Sequence, residues 1–461
     1  MTTPFIETIS YQENPTFLFG KMRLWRWAQL LDSHNCNGAS GRYDILVADP
    51  ALRIVTHDAH TEVIDHTDQL LDQDINAFES LEKYLALHTV SDQQLPFYGG
   101  ALGYFGYDLN DVLAGLKVKD QRDLLIDVPD MAIGIYHWAI VTDHQAQQTC
   151  FVSIEASTQA QNRLKTIKHL IQKPFNNEDE KPLYLVDDKL EEDTSFETYA
   201  ENFQKIQDYL TAGDCYQANY ARCFYGKTAG SVWQSYLKLR DNNPVPFGAF
   251  LDFPFAQIIS ASPERFLKVQ GKQVETCPIK GTRPRSSDNN IDELNRQQLH
   301  SSDKDRAENL MIVDLMRNDL GKTCEPGSIK VPELFQVEAF PTVFHMISTV
   351  TGSIAEGFTA LDVLKNCFPG GSITGAPKKR AMEIIAELEK YKRGIYCGAI
   401  GYISFNGNMD TNIAIRTMTV SNHQLQFWAG GGIVSDSEVN KEFEETRDKA
   451  KAFVDMLQPQ N

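Results

Sequence analysis

The sequence predicts an antiparallel α+β fold rather than a doubly wound parallel sheet. Strand-like and helix-like segments follow one another in mixed order, without the strict alternation that a parallel sheet needs. Residues 265–277, RFLKVQGKQVETC, read as a hairpin turning at Gln270-Gly271. The chain has 461 residues, 42% hydrophobic and 23% charged, enough to bury a large core. At about three times a ~150-residue domain, it has room for one large two-lobed enzyme or two to three modules.

Taken in order, residues 1–160 form a β-rich N-terminal lobe. YDILVAD (43–49), LRIVTHD (52–58) and PDMAIGIYHWAIVTD (129–143) are its clearest strand-like runs. Residues 161–193 turn polar, with NNEDEKP at 176–182, and read as a solvated connection. A second region, 194–461, opens with a helix, because Tyr199, Phe203, Ile206, Tyr209 and Leu210 repeat at helical spacing and stop at Gly213. In CYQANYARCF (215–224) the period changes to two, placing Gln217 and Asn219 on one strand face and Tyr216, Ala218 and Tyr220 on the other. AQIISAS (256–262) then leads through Pro263-Glu264 into the hairpin. Further helices are expected at 302–318, 376–391 and 438–457, and strands at 397–405, 412–420 and 424–428.

Charge narrows the partners. Against 62 Asp and Glu stand 44 Lys and Arg, a net of -18, which repels a polyanion, so nucleic acid is not expected. An anionic small molecule would need local cations or a metal. The start, MTTPFIETIS, lacks a basic and then apolar leader, and no run approaches ~18 apolar residues, so a cytoplasmic protein without membrane contact is expected. Eight cysteines without a CxxC pair suit reduced thiols, not a zinc site or a disulfide framework.

Several segments carry residues with chemical potential. Asp305 and Glu308 project from one helix face at i and i+3, and Glu438, Glu442, Glu445 and Lys449 line a face of the last helix. An acidic first turn is ordinarily dipole stabilisation, yet acids on two helices also make a hard-cation site feasible. PGGSITGAPKK (369–379) sets a glycine-rich turn before a helix start, where free amides favour an anion. Ala376-Pro377 stand where a phosphate loop needs Lys and Ser/Thr, so carboxylate binding is favoured over nucleotide binding. Gly430, Gly431 and Gly432 offer a second close approach of backbone to ligand, or a plain bulge. Arg416, on a strand face with Asn412 and Ala414, suits either a structural acid or a substrate carboxylate. His345 alone reads more readily as a core histidine than as a catalyst. Lys280, after a strand end and a proline and before Gly281-Thr282, is held in place; near apolar surface it can lose its proton and act as a nucleophile. Glu264 can serve as a general acid if its pKa is raised.

In order and spacing, SASPERF, PIKGT, DRAENLMIVDLMRNDLG, FPGGSITGAPK, CGAIGY, DTNIAIRT, AGGGIVSDS and EFEETRDKA resemble the chorismate-utilising enzymes from about residue 194 to 455. QLLDS followed by GRYD at 29–44 resembles that family's N-terminal region. The resemblance implies a fold of the anthranilate synthase component I type, in which two lobes together form an orthogonal antiparallel β-sandwich flanked by helices. It makes residues 194–461 the chorismate-binding catalytic region. It also implies catalytic roles for Lys280, Glu264 and His345: Lys280 attacks C2 of chorismate as the C4 hydroxyl leaves, Glu264 assists that departure, and ammonia then adds at C4 and expels the lysine. Substrate contacts are implied for Gly281, Thr282, Ser372, Tyr396, Arg416, Gly430, Gly431, Gly432 and Lys449, with Arg416 on the pyruvyl carboxylate. For Mg²⁺ the implied ligands are Glu308 and Glu445, with Asp305 and Glu442 in the outer shell or acting through water.

Two positions sort the relatives. Anthranilate synthases typically carry alanine where this chain has Lys280, and isochorismate and salicylate synthases carry a water-activating lysine where it has Gln217. The combination here implies amination at C4, with the product 4-amino-4-deoxychorismate leading toward p-aminobenzoate and folate. No cysteine sits in a nucleophile elbow, so ammonia is expected from a separate glutamine amidotransferase subunit. Family members can hold tryptophan in a pocket matched by Ser33, Arg42, Tyr43, Pro246, Phe247 and Gly248, although the loop HNCNGASG (34–41) departs from the family's pattern. The rival readings are an anthranilate synthase large subunit and a non-catalytic sensor of tryptophan or chorismate.

Overall fold

The structure, a computed structural model, describes residues 2–34, 41–58, 60–74, 76–110, 122–174, 180–187 and 189–457. Among them, strands gather into two antiparallel sheets of 13 and 12 strands, the expected α+β sandwich. Inward side chains of one sheet, such as Ile45, Val141 and Ala221, meet Ile54, Leu102, Ile133 and Leu267 of the other in a continuous core. The outer face of the 13-stranded sheet is apolar too. Its Leu30, Leu46, Phe250 and Phe427 are covered by the helices Pro15–Met22, Val232–Asn242 and Val439–Leu457. Burial on both faces explains the uninterrupted apolar runs Ile45-Leu46-Val47 and Ala139-Ile140-Val141 within its strands.

Neither sheet belongs to one end of the chain. Gln29–Asp32 pairs with Phe247–Asp252, and Gly100–Phe105 pairs with Ala399–Ser404. Residues 129–143 form two strands, not one: Met131–Tyr136 lies in the 12-stranded sheet and Trp138–Asp143 in the other. The chain changes sheets at His137.

Three further expectations need correction. The polar stretch 161–193 is no plain connection, because the helix Thr158–Gln172 runs into it. Its Ala160, Leu164 and Ile167, at i, i+4 and i+7, pack on the outer core, and Arg163 lies over the rings of Trp25 and Trp138. Two short strands, Tyr184–Leu185 and Glu191–Glu192, follow and pair with Gln217–Ala229; residues 175–179 and 188 of this stretch lie outside the described residues. The strand expected at 412–420 is broken into Met409–Asn412 and Thr417–Ser421, and Arg416 sits in the break at φ 50°. The strand expected at 424–428 instead runs from Gln424 to Ile433 and takes in all three glycines.

A buried acid fixes the end of Gln29–Asp32, a strand in the interior of the 13-stranded sheet. Asp32 is enclosed, accepts from Tyr236 Oη at 2.9 Å and Arg240 Nε at 2.6 Å, and takes the His34 amide at 2.8 Å. Burial alone would raise its pKa, but His34 and Arg240 outweigh that and hold it at about 2. Because the folded value lies below the unfolded one, the stabilisation is complete above about pH 4 and is lost as pH falls through about 2. Arg240→Met, which strands the carboxylate, is expected to cost about 3 kcal/mol in urea unfolding at neutral pH. Asp32→Asn is expected to flatten the loss of stability between about pH 4 and pH 2 relative to wild type.

Candidate active site

The residues around Lys280 converge because one strand carries an extra residue. Ile279 pairs with Ile347 and Thr282 with His345, so Lys280 and Gly281 occupy a bulge in the strand Ile279–Pro284. Gly281 has φ 84°, and a Cβ there would lie 2.9 Å from Asp305 Cγ, so glycine is required for the turn. The bulge aims Lys280 Nζ at the carbonyl of Ser372, 3.1 Å away.

That amine lies in a cavity of about 880 Å³. Of the residues expected at the substrate and metal positions, Glu264, Lys280, Gly281, Thr282, His345, Ser372, Tyr396, Arg416, Gly430, Gly432, Lys449, Asp305, Glu308, Glu442 and Glu445 all line it. Gly431 does not; its α-carbon faces Glu442 and Glu445 from behind, and a Cβ would stand 3.1 Å from Glu442 Oε2.

Glu264 follows the strand Gln257–Ser262 and is welded in place: Ile413 N donates to its carbonyl at 3.0 Å, and its own amide donates to Ser262 Oγ. Burial raises its carboxyl pKa, against the opposing effects of the Ser372 side chain and Lys280. Burial likewise lowers the pKa of Lys280, opposed by the negative charge of Glu308 and Glu264 and helped by Lys449. An acid inclined to keep its proton thus faces an amine inclined to lose one.

His345 pairs its Nδ1 with Thr282 Oγ1 at 3.0 Å. Burial, reinforced by the charge of Arg416, pushes its pKa down to about 4, so the ring is neutral at physiological pH. Tyr396 is buried and stacked on Trp428, with ring centroids 6.0 Å apart and 9° between planes. Burial also lowers the pKa of Arg416. Among the described residues no hydrogen bond or ion pair occupies its guanidinium, so the structural acid that such a residue ordinarily meets is not seen; an anionic group in the cavity would find the fork free.

Besides lining the cavity, two of the three glycines let paired strands approach closely. Gly430 and Gly432 lie within a strand paired to Ala221 and Asn219, where a Cβ would come within 2.5 Å of Tyr220 O and of Gln217 Nε2 respectively. The glycine-rich turn before the helix Lys378–Leu388 contributes only Ser372 and Ile373 to the cavity, while Ala376, Pro377 and Lys378 line a separate groove on its far side. The helix start is therefore not the anion site; Lys378 there donates to the Cys367 carbonyl at 2.8 Å and pairs with Asp319 at 2.5 Å.

The four acids at one wall are partnered by bases. Arg283 meets Asp305 at 3.0 Å, Lys449 meets Glu445 at 2.6 Å, and Lys304 stands 3.9 Å from Glu308 and 3.8 Å from Glu442. Burial raises the pKa of Glu308 and Glu442; in Glu445 burial is outweighed by Lys449, and its pKa is lowered. Among the described residues no three His, Cys, Asp or Glu side chains converge tightly enough to hold a metal unaided. An ammonium between two carboxylates nevertheless marks a place where positive charge is favoured, and a hard divalent cation that keeps its waters needs only one or two carboxylates.

A second, smaller cavity of about 240 Å³ is lined by Ser33, Arg42, Tyr43, Pro246, Phe247 and Gly248, among others. Here Ser33 Oγ donates to Asp44 at 2.8 Å and Arg42 donates to Asp143 at 2.7 Å. Residues 35–40 of the divergent segment 34–41 lie outside the described residues.

Comparison with known proteins follows the same outline. The sequence pattern of the chorismate binding enzymes matches residues 31–455. The chain belongs to that family. It is 41% identical to aminodeoxychorismate synthase component 1 of Escherichia coli (strain K12), over 99% of each chain. It is 33% identical to anthranilate synthase component 1 of Aquifex aeolicus, over 98% of this chain and 94% of that one. The crystal structure of anthranilate synthase component I from Streptococcus pneumoniae superimposes with a TM-score of 0.79 at 33% identity, covering 90% of this chain and 92% of that one.

Within this family member some cavity residues escaped sequence reasoning. Asn219 lines the wall and could have been inferred from the face it shares with Gln217; Trp428 and Lys304 carry no such signal. Gln217 is fully buried behind Gly432, with neither side-chain amide atom hydrogen-bonded. The neutral state of His345 is directly measurable: its ring ¹⁵N resonances are expected to stay those of a neutral imidazole from about pH 8 to about pH 5.5, and a midpoint near the ordinary ~6.5 would contradict its burial beside Arg416.

Proposed function

We propose that this chain aminates chorismate at C4, giving 4-amino-4-deoxychorismate for p-aminobenzoate and folate synthesis. The observation that carries the reading is the Lys280 amine held in the cavity opposite Glu264. Relatives named aminodeoxychorismate synthase component 1 at 41% and 43% identity support it over the anthranilate alternative, whose named relatives stand at 33% and 35%.

The chemistry then follows from the wall. Neutral Lys280 forms a bond from nitrogen to C2 while the C4–O bond breaks, and Glu264 gives its proton to the departing hydroxyl, which leaves as water. The adduct nitrogen returns a proton to Glu264. Ammonia next bonds to C4 as the C2–N bond breaks, Glu264 gives its proton to the departing nitrogen so that the lysine leaves as a free amine, and the C4 ammonium so formed returns a proton to Glu264. Arg416 and Lys449 answer the two carboxylates of the substrate, and Thr282 and neutral His345 are placed to hydrogen-bond at the ring. Glu308 and Glu445, with Asp305 and Glu442 behind them, would hold Mg²⁺, which when bound supplies positive charge for a substrate carboxylate.

Ammonia comes, in this reading, from a separate glutamine amidotransferase subunit, in keeping with the "component 1" in the relatives' names. The thiols of Cys277, Cys367 and Cys397 are pushed up to about 12 by burial, far from the thiolate that glutamine hydrolysis needs. All seven described cysteines are free, which suits the cytoplasm, and no described helix is long and apolar enough to cross a membrane. The smaller cavity, walled by Arg42, Ser33 and Phe247, favours a second ligand of amino-acid size such as tryptophan.

Incubation with chorismate without ammonia is expected to add the mass of chorismate less one water to the intact chain, localised to Lys280. Lys280→Ala should abolish that adduct and lower C4 amination roughly 10³-fold or more. Amination undiminished in Lys280→Ala, or anthranilate with pyruvate as the wild-type products, would refute the reading. Glu445→Ala should raise the Mg²⁺ concentration for half-maximal activity roughly 10- to 100-fold, and an unchanged metal titration would remove Glu445 from the metal site.

A further inference from the structure

One edge of the strand Gln217–Ala229 lacks a strand neighbour just where it borders the cavity. On that edge it pairs with Gly375–Ala376 through Gln217 and Ala218, and with Glu191–Glu192 only from Phe224 onward. Four of the backbone groups in between nonetheless have partners. Asn219 N donates to Thr374 O at 2.8 Å, and Cys223 N donates to Asp193 Oδ1 at 2.9 Å. Between them Arg393 Nη2 donates to Asn219 O at 2.6 Å, and Glu389 Oε1 accepts from Ala221 N at 3.0 Å. One side-chain donor and one side-chain acceptor thus replace a missing strand.

Glu389 and Arg393 are joined by two hydrogen bonds of 2.9 and 2.7 Å, and neither side chain is exposed. Arg122 approaches Glu389 at 3.6 Å. Arg393 also donates from Nη1 to Ile373 O at 3.1 Å and lies over the rings of Tyr107 and Tyr396. For stability alone a buried ion pair is a poor choice, because apolar residues of similar volume often do as well. What distinguishes this pair is where its bonds go. Asn219, Ile373 and Tyr396 all line the reaction cavity, and Ser372, bonded to Ile373, presents the carbonyl that receives the Lys280 amine.

We infer that Arg393, oriented by Glu389, is a positioning residue for the reaction: it locks the turn Gly371–Ile373 to the strand edge, so that the Ser372 carbonyl aims the Lys280 lone pair into the cavity. The inference rests on the amination reading above. An amine with one N–H spent on a fixed carbonyl has fewer orientations, and a nucleophile displaced by about 1 Å can lose on the order of 100-fold in rate. The clamp acts on attack more than on substrate affinity, because it does not itself line the cavity.

Arg393→Lys keeps the charge but loses the planar fork that reaches two carbonyls and Glu389 at once. With the full chain, four quantities decide: thermal melting, the rate of adduct formation with chorismate in the absence of ammonia, and kcat and KM for chorismate with ammonium. The expected result is a folded variant whose adduct rate and kcat fall roughly 10- to 100-fold while KM changes by less than about threefold. A folded Arg393→Lys that forms adduct at the wild-type rate, or that raises KM at constant kcat, overturns the inference. If Arg393→Lys does not melt cooperatively, Glu389→Gln, which keeps an acceptor for Ala221 N but loosens the fork, takes its place: a slower adduct step at unchanged KM supports the clamp and wild-type kinetics overturn it. Wild-type protein that forms no adduct at all defeats the amination reading itself, and the inference falls with it.

Discussion

The Lys280 amine, enclosed among carboxylates, sets the terms for the rest of the cavity. Burial drives it toward the neutral form, while Glu308 and Glu264 pull it back toward the cation. In the proposed reaction, too many acids would leave it protonated and inert, and too few would leave a dianionic substrate facing no ordered proton donor. Lys449, Lys304 and Arg283 share the acids among them and so keep the wall from overwhelming the amine. In a chain with a net charge of -18, this local balance is what makes room for an anion.

Holding that balance requires walls that do not yield. They come from both sheets: Asn219, Trp428 and Gly432 from the 13-stranded one, Thr282 and His345 from the 12-stranded one, with Glu264 where the chain passes from the first to the second. Because the strands of the first 160 residues continue both sheets from one side, joined to the rest by strand pairing in each, they form no separable attachment. Gln29–Asp32 lies directly beside Phe247–Asp252, one strand away from the segment that ends at Glu264.

How far the sequence disclosed this depended on whether a residue's role was local. Lys280 could be singled out because its neighbours, a proline before and Gly281 after, already fix the backbone. The paired acids on two helices were readable from helical spacing. The glycines at 430–432 read as an approach to a ligand or a bulge because glycine ordinarily marks irregular backbone, whereas they lie in a paired strand and also let Tyr220 and Gln217 come close across it. Arg416 read as a strand residue because apolar alternation continues on both sides of the break. The helix Thr158–Gln172 was obscured because its apolar stripe is only three residues wide beneath a polar surface. Glu389 and Arg393, one near the end of the helix expected at 376–391 and the other past it, carry no mark of burial in the sequence; only the missing strand beside Asn219 and Ala221 reveals why they are buried.

Glu264 and Arg265 are consecutive, yet Glu264 lines the large cavity and Arg265 the small one, where it grips Asp410 and Glu275. The pleat of one segment therefore divides two chambers, and slipping it by a single residue would swap an acid for a guanidinium in the larger one. The weld of Ser262 and Glu264 to Ile413, followed by the irregular pairing between Arg265 and Leu267, works as a ratchet stop against that slip. Fidelity of the chemistry here begins as fidelity of strand alignment.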